Sequence, residues 1–83
     1  MKQFEHTIRD PLGLHALVIA RLARKYAGTT IQIAAHGRAA DASALIKLVC
    51  LDAQKGSCVK VTAEGSNEDA AIIAMSDFFQ NHL

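Results

Sequence analysis

Tryptophan is absent from this 83-residue sequence, and the aromatics are limited to Phe4, Tyr26, Phe78 and Phe79. Without stacking side chains there is no platform for single-stranded nucleic acid. An excess of one charge is missing too. Nine Lys plus Arg stand against eight Asp plus Glu, a net charge of +1 that lacks the basic footprint of a nucleic-acid binder. No nucleic acid partner is expected. Cysteine is scarce, and Cys50 and Cys58 form neither a CxxC pair nor a disulfide framework, so reduced, partly buried thiols are expected. No apolar run approaches the roughly 18 residues of a membrane span, and the start, Met1 to His6, lacks a signal peptide's apolar stretch. These absences point to a cytoplasmic protein without membrane insertion. With one Pro and five Gly there is no low-complexity tract, and with 51% hydrophobic residues the chain folds as a single domain, 1–83.

What is present alternates between two periods. Phe4, His6 and Ile8 alternate with polar residues from Phe4 to Ile8, the pattern of a half-buried strand, which Asp10-Pro11-Leu12-Gly13 ends. Ala16 to Ala27 reads as a helix with an apolar face through Ile19, Leu22, Ala23 and Tyr26, closed by Gly28. Thr29 to Ala35 is a β-branched strand, His36-Gly37 a turn, and Arg38 to Asp41 a short return strand. After Ala42-Ser43, with Ser43 expected as N-cap, the run from Ala44 to Leu51 reads as a helix of about two turns. Cys58 to Ala63 alternates as a strand, and Ser66-Asn67-Glu68-Asp69 carries a capping-box signature before a helix with Ala71, Ile72, Met75, Phe78 and Phe79 on one face. The order βαββαβα favours an antiparallel or mixed sheet covered by helices on one face, with Gln3, Glu5, Thr7, Gln32 and Lys60 on the other.

Gly13-Leu14-His15-Ala16 sets an imidazole between a glycine loop and a helix start. The first amides of a helix lack internal partners and attract anions, while a neutral imidazole nitrogen is a competent nucleophile near pH 7. A phosphoryl-accepting His15, cradled by the amides of Ala16, Leu17 and Val18, is therefore physically reasonable. A metal site among His6, His15, His36, His82, Cys50 and Cys58 is not expected, because none falls at a zinc-binding spacing. No other cofactor is called for.

Pro11-Leu12-Gly13-Leu14-His15-Ala16, Ile46-Lys47-Leu48 and Thr62-Ala63-Glu64-Gly65 resemble the HPr family, the histidine-containing phosphocarriers of the phosphoenolpyruvate:sugar phosphotransferase system, over essentially the whole chain. Asp52-Ala53-Gln54-Lys55-Gly56 is closer to nitrogen-branch members and Ile46-Lys47-Leu48 to sugar-branch ones, so the branch stays open. The resemblance implies an α+β fold, an open-faced βαββαβα sandwich whose four-stranded antiparallel sheet is covered on one face by three helices. It also implies a phosphoryl carrier rather than a turnover enzyme, loaded on His15 by enzyme I and unloaded by an enzyme IIA-type domain; a monomer is expected, with self-association through the apolar patch left open.

Two positions depart from the family motif: Leu17 stands where it has Arg, and Val18 where it has Pro. Arg would contribute a charge-assisted bond worth roughly 1.5 to 3 kcal/mol. Its loss predicts slower phosphorylation or a dedicated partner; the alternative is an HPr-like regulatory binding module with weak or no phosphotransfer. The family's regulatory serine falls on Ala44, so control by serine phosphorylation is not expected. Leu17, Leu45, Ile46 and Leu48 exceed what one core can hide, and the resemblance implies that they contact protein partners.

Overall fold

The computed structural model describes residues 1–11 and 14–83. The element order is β1 (Lys2–Thr7), α1 (Ala16–Arg24), β2 (Thr29–Ala35), β3 (Arg38–Asp41), α2 (Leu45–Cys50), β4 (Cys58–Gly65) and α3 (Glu68–His82). The strands form one antiparallel sheet in the order β1-β4-β2-β3. This is the α+β open-faced sandwich expected from the sequence.

Period-two alternation decides the sheet's two faces. Val61 on β4 lies opposite Phe4 on β1 and Ile33 on β2, and together with Val59, Ile31 and Ala63 it forms the covered face. Gln3, Glu5, Thr7, Gln32 and Lys60 point the other way, into solvent. The hairpin between β2 and β3 turns through His36 and Gly37, both at positive φ (55° and 77°), the backbone that a two-residue hairpin loop requires. Across the covered face runs α3, burying Ala71, Met75 and Phe79, with Phe4 and His6 set edge-on against the Phe79 ring. His6 is partly buried as expected, but its Nε2 meets no hydrogen-bond partner among the described residues.

Several local expectations are corrected. Helix α1 stops at Arg24 rather than Ala27, because the Lys25 and Tyr26 amides bond the carbonyls of Leu22 and Ala23, a tighter i to i+3 closure, before Gly28 (φ 88°) turns the chain. Ser43 does not cap α2. Its hydroxyl and amide both donate to Asp41 Oδ1 (2.6 and 2.8 Å), which leaves Ala44 at the N-cap. Ser66 does not cap α3 either: Asn67 holds that position without a side-chain bond, while its amide donates to the Thr29 hydroxyl (2.9 Å). Both cysteines are exposed, Cys50 on the outer side of α2 and Cys58 at the head of an outward-facing register.

Candidate functional site

His15 sits at the N-cap of α1, as the spacing of the loop and helix implies. Its backbone (φ −84°, ψ 74°) is that of an inverse γ-turn, and the Ala16 amide closes the turn on the Leu14 carbonyl at 3.0 Å. This engages one of the three amides expected to cradle an anion. The Ile19 amide bonds the His15 carbonyl, and no described residue outside the helix supplies an acceptor to the amides of Leu17 and Val18. These two first-turn donors lie at the positive end of α1. Gly13, whose conformational freedom the sequence singles out, lies outside the described residues.

The imidazole is 31% exposed and lies between two groups. On one side Asp10 Oδ2 approaches Nε2 at 3.4 Å. On the other, the Phe78 ring of α3 stands steeply inclined to it, with centroids 6.4 Å apart and planes at 65°. Nε2 itself has no access to water and completes no hydrogen bond with a described residue. Sequence reasoning passed over Asp10 because its charge is five residues away, on the far side of a proline loop. The signal available was only that a carboxylate opens the segment that closes on a histidine.

Backbone bonds fix this loop at both ends. The Leu14 amide donates to the Ala53 carbonyl (3.2 Å), tying the loop to the chain that leaves α2. Asp52, which begins that segment, has φ 54°, a left-handed conformation that Asp tolerates better than most residues and that ends a helix. At the other end the amides of Arg9 and Asp10 both donate to the Leu83 carbonyl, and the Arg9 guanidinium bonds the Gln80 carbonyl (2.8 Å). Between α1, α2 and the 52–55 segment lies a groove of about 370 Å³, lined by Leu14, Ala16, Val49 and Lys55 among others.

The large apolar side chains left exposed on α1 and α2 are Leu17 (50%) and Val18 (45%) on the first and Ile46 (74%) and Val49 (62%) on the second. Val49 lines the groove beside the His15 loop, whereas Ile46 faces the β3 side of α2 with Arg38 and Ala39. Leu17 and Ile46 are on the surface. Leu48 is not: it is 1% exposed, packed in the core, and Val49 takes its place on the surface. The inward stripe of α2 runs through Leu45 and Leu48, three residues apart, and Val49 falls outside it. Leu45 is half-buried against the core. Among the described residues no cluster of His, Cys, Asp and Glu suited to a metal ion occurs, and no helix is long and apolar enough to cross a membrane.

Comparison with known proteins matches residues 2–81 to the family model described as the PTS HPr component phosphorylation site. The chain is 31% identical over 86 residues to the phosphocarrier protein HPr of Xylella fastidiosa (strain Temecula1), covering 100% of this chain and 96% of that one. It is 37% identical over 73 residues to a multiphosphoryl transfer protein of Xanthomonas campestris pv. campestris, covering 86% of this chain and 9% of that longer protein. The crystal structure of HPr-C-His from Thermoanaerobacter tengcongensis superposes with a TM-score of 0.90 at 28% identity, over 96% of this chain and 92% of that one.

Proposed function

Because the chain belongs to the HPr family of the phosphotransferase system and so has a phosphocarrier role, we propose that His15 bears the phosphoryl group on Nδ1, taken from enzyme I and given to an enzyme IIA-type domain. The observation that carries this reading is the closure of Nε2. A nitrogen without solvent access, set against a carboxylate, cannot meet a phosphoryl donor, so Nδ1 is the ring nitrogen left to react. The amides of Leu17 and Val18, which no described residue outside the helix engages, supply donors for the phosphoryl oxygens at the helix's positive end. With Leu17 in place of the motif Arg, those oxygens lack a cationic partner at that position, and transfer to and from the ring is retuned rather than abolished.

Protein partners dock on the apolar surface of α1 and α2, where Leu17, Ile46 and Val49 are exposed and Leu45 is half-buried. A surface of this kind favours partners that are apolar opposite Leu17, a choice that excludes those built for an arginine. The same reading has residues 1–83 act as one monomeric domain in the cytoplasm. Incubation with phosphoenolpyruvate and a cognate enzyme I should add one acid-labile phosphoryl group by intact mass, and His15→Ala should abolish the gain. Absence of the gain in the unsubstituted protein would overturn the assignment.

A further inference from the structure

A carboxylate facing a closed ring nitrogen is an arrangement with a chemical consequence. Ionised carboxylates only accept hydrogen bonds. A lone pair on Nε2 pointing at Asp10 Oδ2, 3.4 Å away, would set two acceptors against each other, whereas an N–H there is attracted. The contact falls short of a formed hydrogen bond, as such pairs often do before the reacting partner arrives. Asp10 is nevertheless held in place, because its own amide donates to the Leu83 carbonyl at 3.1 Å and the neighbouring Arg9 is bound to the same end of α3 through Gln80. Phe78 closes the other side of the imidazole.

Resting on the reading that His15 carries the phosphoryl group, we propose that Asp10 is the positioning residue of the transfer, keeping the neutral ring's proton on Nε2 so that the Nδ1 lone pair is free to take phosphorus. In the loading step that lone pair forms the N–P bond as the P–N bond of the donor's phosphohistidine breaks, and the bonding electrons return to the donor ring. The proton stays on Nε2. The His15 ring thereby becomes a phosphorylated imidazolium whose positive charge faces the Asp10 carboxylate. An arginine at position 17 would stabilise the phosphate anion. Here Leu17 occupies that position in the chain, and the charge beside the ring is the Asp10 carboxylate at Nε2.

Long-range ¹H–¹⁵N spectra of His15, recorded where the ring is neutral, read the tautomer directly. The expected result is a protonated-type shift at Nε2 and an unprotonated-type shift at Nδ1, with the two converging in Asp10→Ala. In a phosphotransfer assay Asp10→Ala should lower kcat about ten- to a hundredfold with KM for the donor protein held, by analogy with groups that orient a reacting imidazole. Asp10→Asn, which keeps the shape and drops the charge, should release the phosphoryl group faster than the unsubstituted protein. A protonated Nδ1 in the unsubstituted protein, or ring shifts and kcat unmoved in both variants, would sink the assignment of Asp10 alone. Should Asp10→Ala not fold, the unsubstituted spectrum and Asp10→Asn decide. No phosphoryl uptake by the unsubstituted protein would instead overturn the carrier reading and the transfer role with it.

Discussion

The region where α3 crosses the sheet and the region where α1 and α2 meet the His15 loop are built from the same apolar residue types, used in opposite ways. Beneath α3, Met75 and Phe79 are fully buried against Val59, Val61 and Ile33. On α1 and α2, Leu17, Ile46 and Val49 remain in water. Helix length explains the first half: α3 has 15 residues and can span several strands, whereas α2 has 6 and buries little beyond Leu48. It does not explain why the outer residues of α2 are apolar at all. Burying such a side chain fully is worth roughly 1.5 to 3 kcal/mol, and this protein forgoes most of that at three positions on two short helices. Under the proposed reading, that apolar surface is where a protein partner docks.

Matched truncations test that contrast most severely. Phe79→Ala removes a fully buried ring against which Phe4 and His6 are set edge-on, and should cost about 3 to 5 kcal/mol of unfolding free energy in urea. That is a large part of the roughly 5 to 15 kcal/mol that holds a domain of this kind folded. Ile46→Ala deletes exposed atoms and should move stability by less than about 0.5 kcal/mol while weakening capture by a phosphotransfer partner. Equal stability losses from the two would erase the distinction between the regions.

The next effect in size belongs to the histidine end. Leu17→Arg restores a cation beside the first-turn amides, and a well-made charge-assisted bond of roughly 1.5 to 3 kcal/mol should lengthen the lifetime of the phosphorylated protein about tenfold or more. Because Leu17 is half exposed, folding stability should barely change. Loss of phosphoryl mass with time, followed in both proteins, measures it. An unchanged lifetime would mean that the phosphate does not lie over the start of α1.

How far all this was legible in the sequence differs between the same two regions. The alternation of Ile31 with Ile33 and of Val59 with Val61, and the spacing of Ala71, Met75 and Phe79, state the covered faces directly, because each element is long enough for its period to be unambiguous. At the other end the period is too short to read. A six-residue helix spans under two turns, so a run apolar on several sides leaves open whether Leu48 or Val49 turns inward; the structure buries Leu48 and exposes Val49. Ser43 was drawn away from the α2 cap by Asp41, a competition between side-chain partners that no pattern of apolar residues displays. His15 itself was legible from its place between a glycine loop and a helix. Asp10 was not, since what brings it to the ring is the Leu83 carbonyl more than seventy positions along the chain.

The smallest effect comes from charge at the α3 end, where the terminal ammonium of Met1 contacts Glu68 Oε2 at 2.8 Å in the helix's first turn. The hydrogen bond from that ammonium holds the Glu68 carboxyl below its ordinary 4.5, and the same bond raises the Met1 amine above its ordinary 8.0. Glu68 therefore contributes stability above about 4.5 that is lost as pH falls through its depressed value, while Met1 contributes stability below about 8.0 that is lost as pH rises through its raised one. The pair should produce a shallow plateau between these limits, and Glu68→Gln should remove the fall on both sides. Both groups are open to solvent, so the difference in Tm between the two proteins should be slight and should shrink further in salt. A large, salt-resistant difference would mean that α3 is held to the sheet by charge as much as by Met75 and Phe79. The near-complete burial of those two side chains argues for a small one.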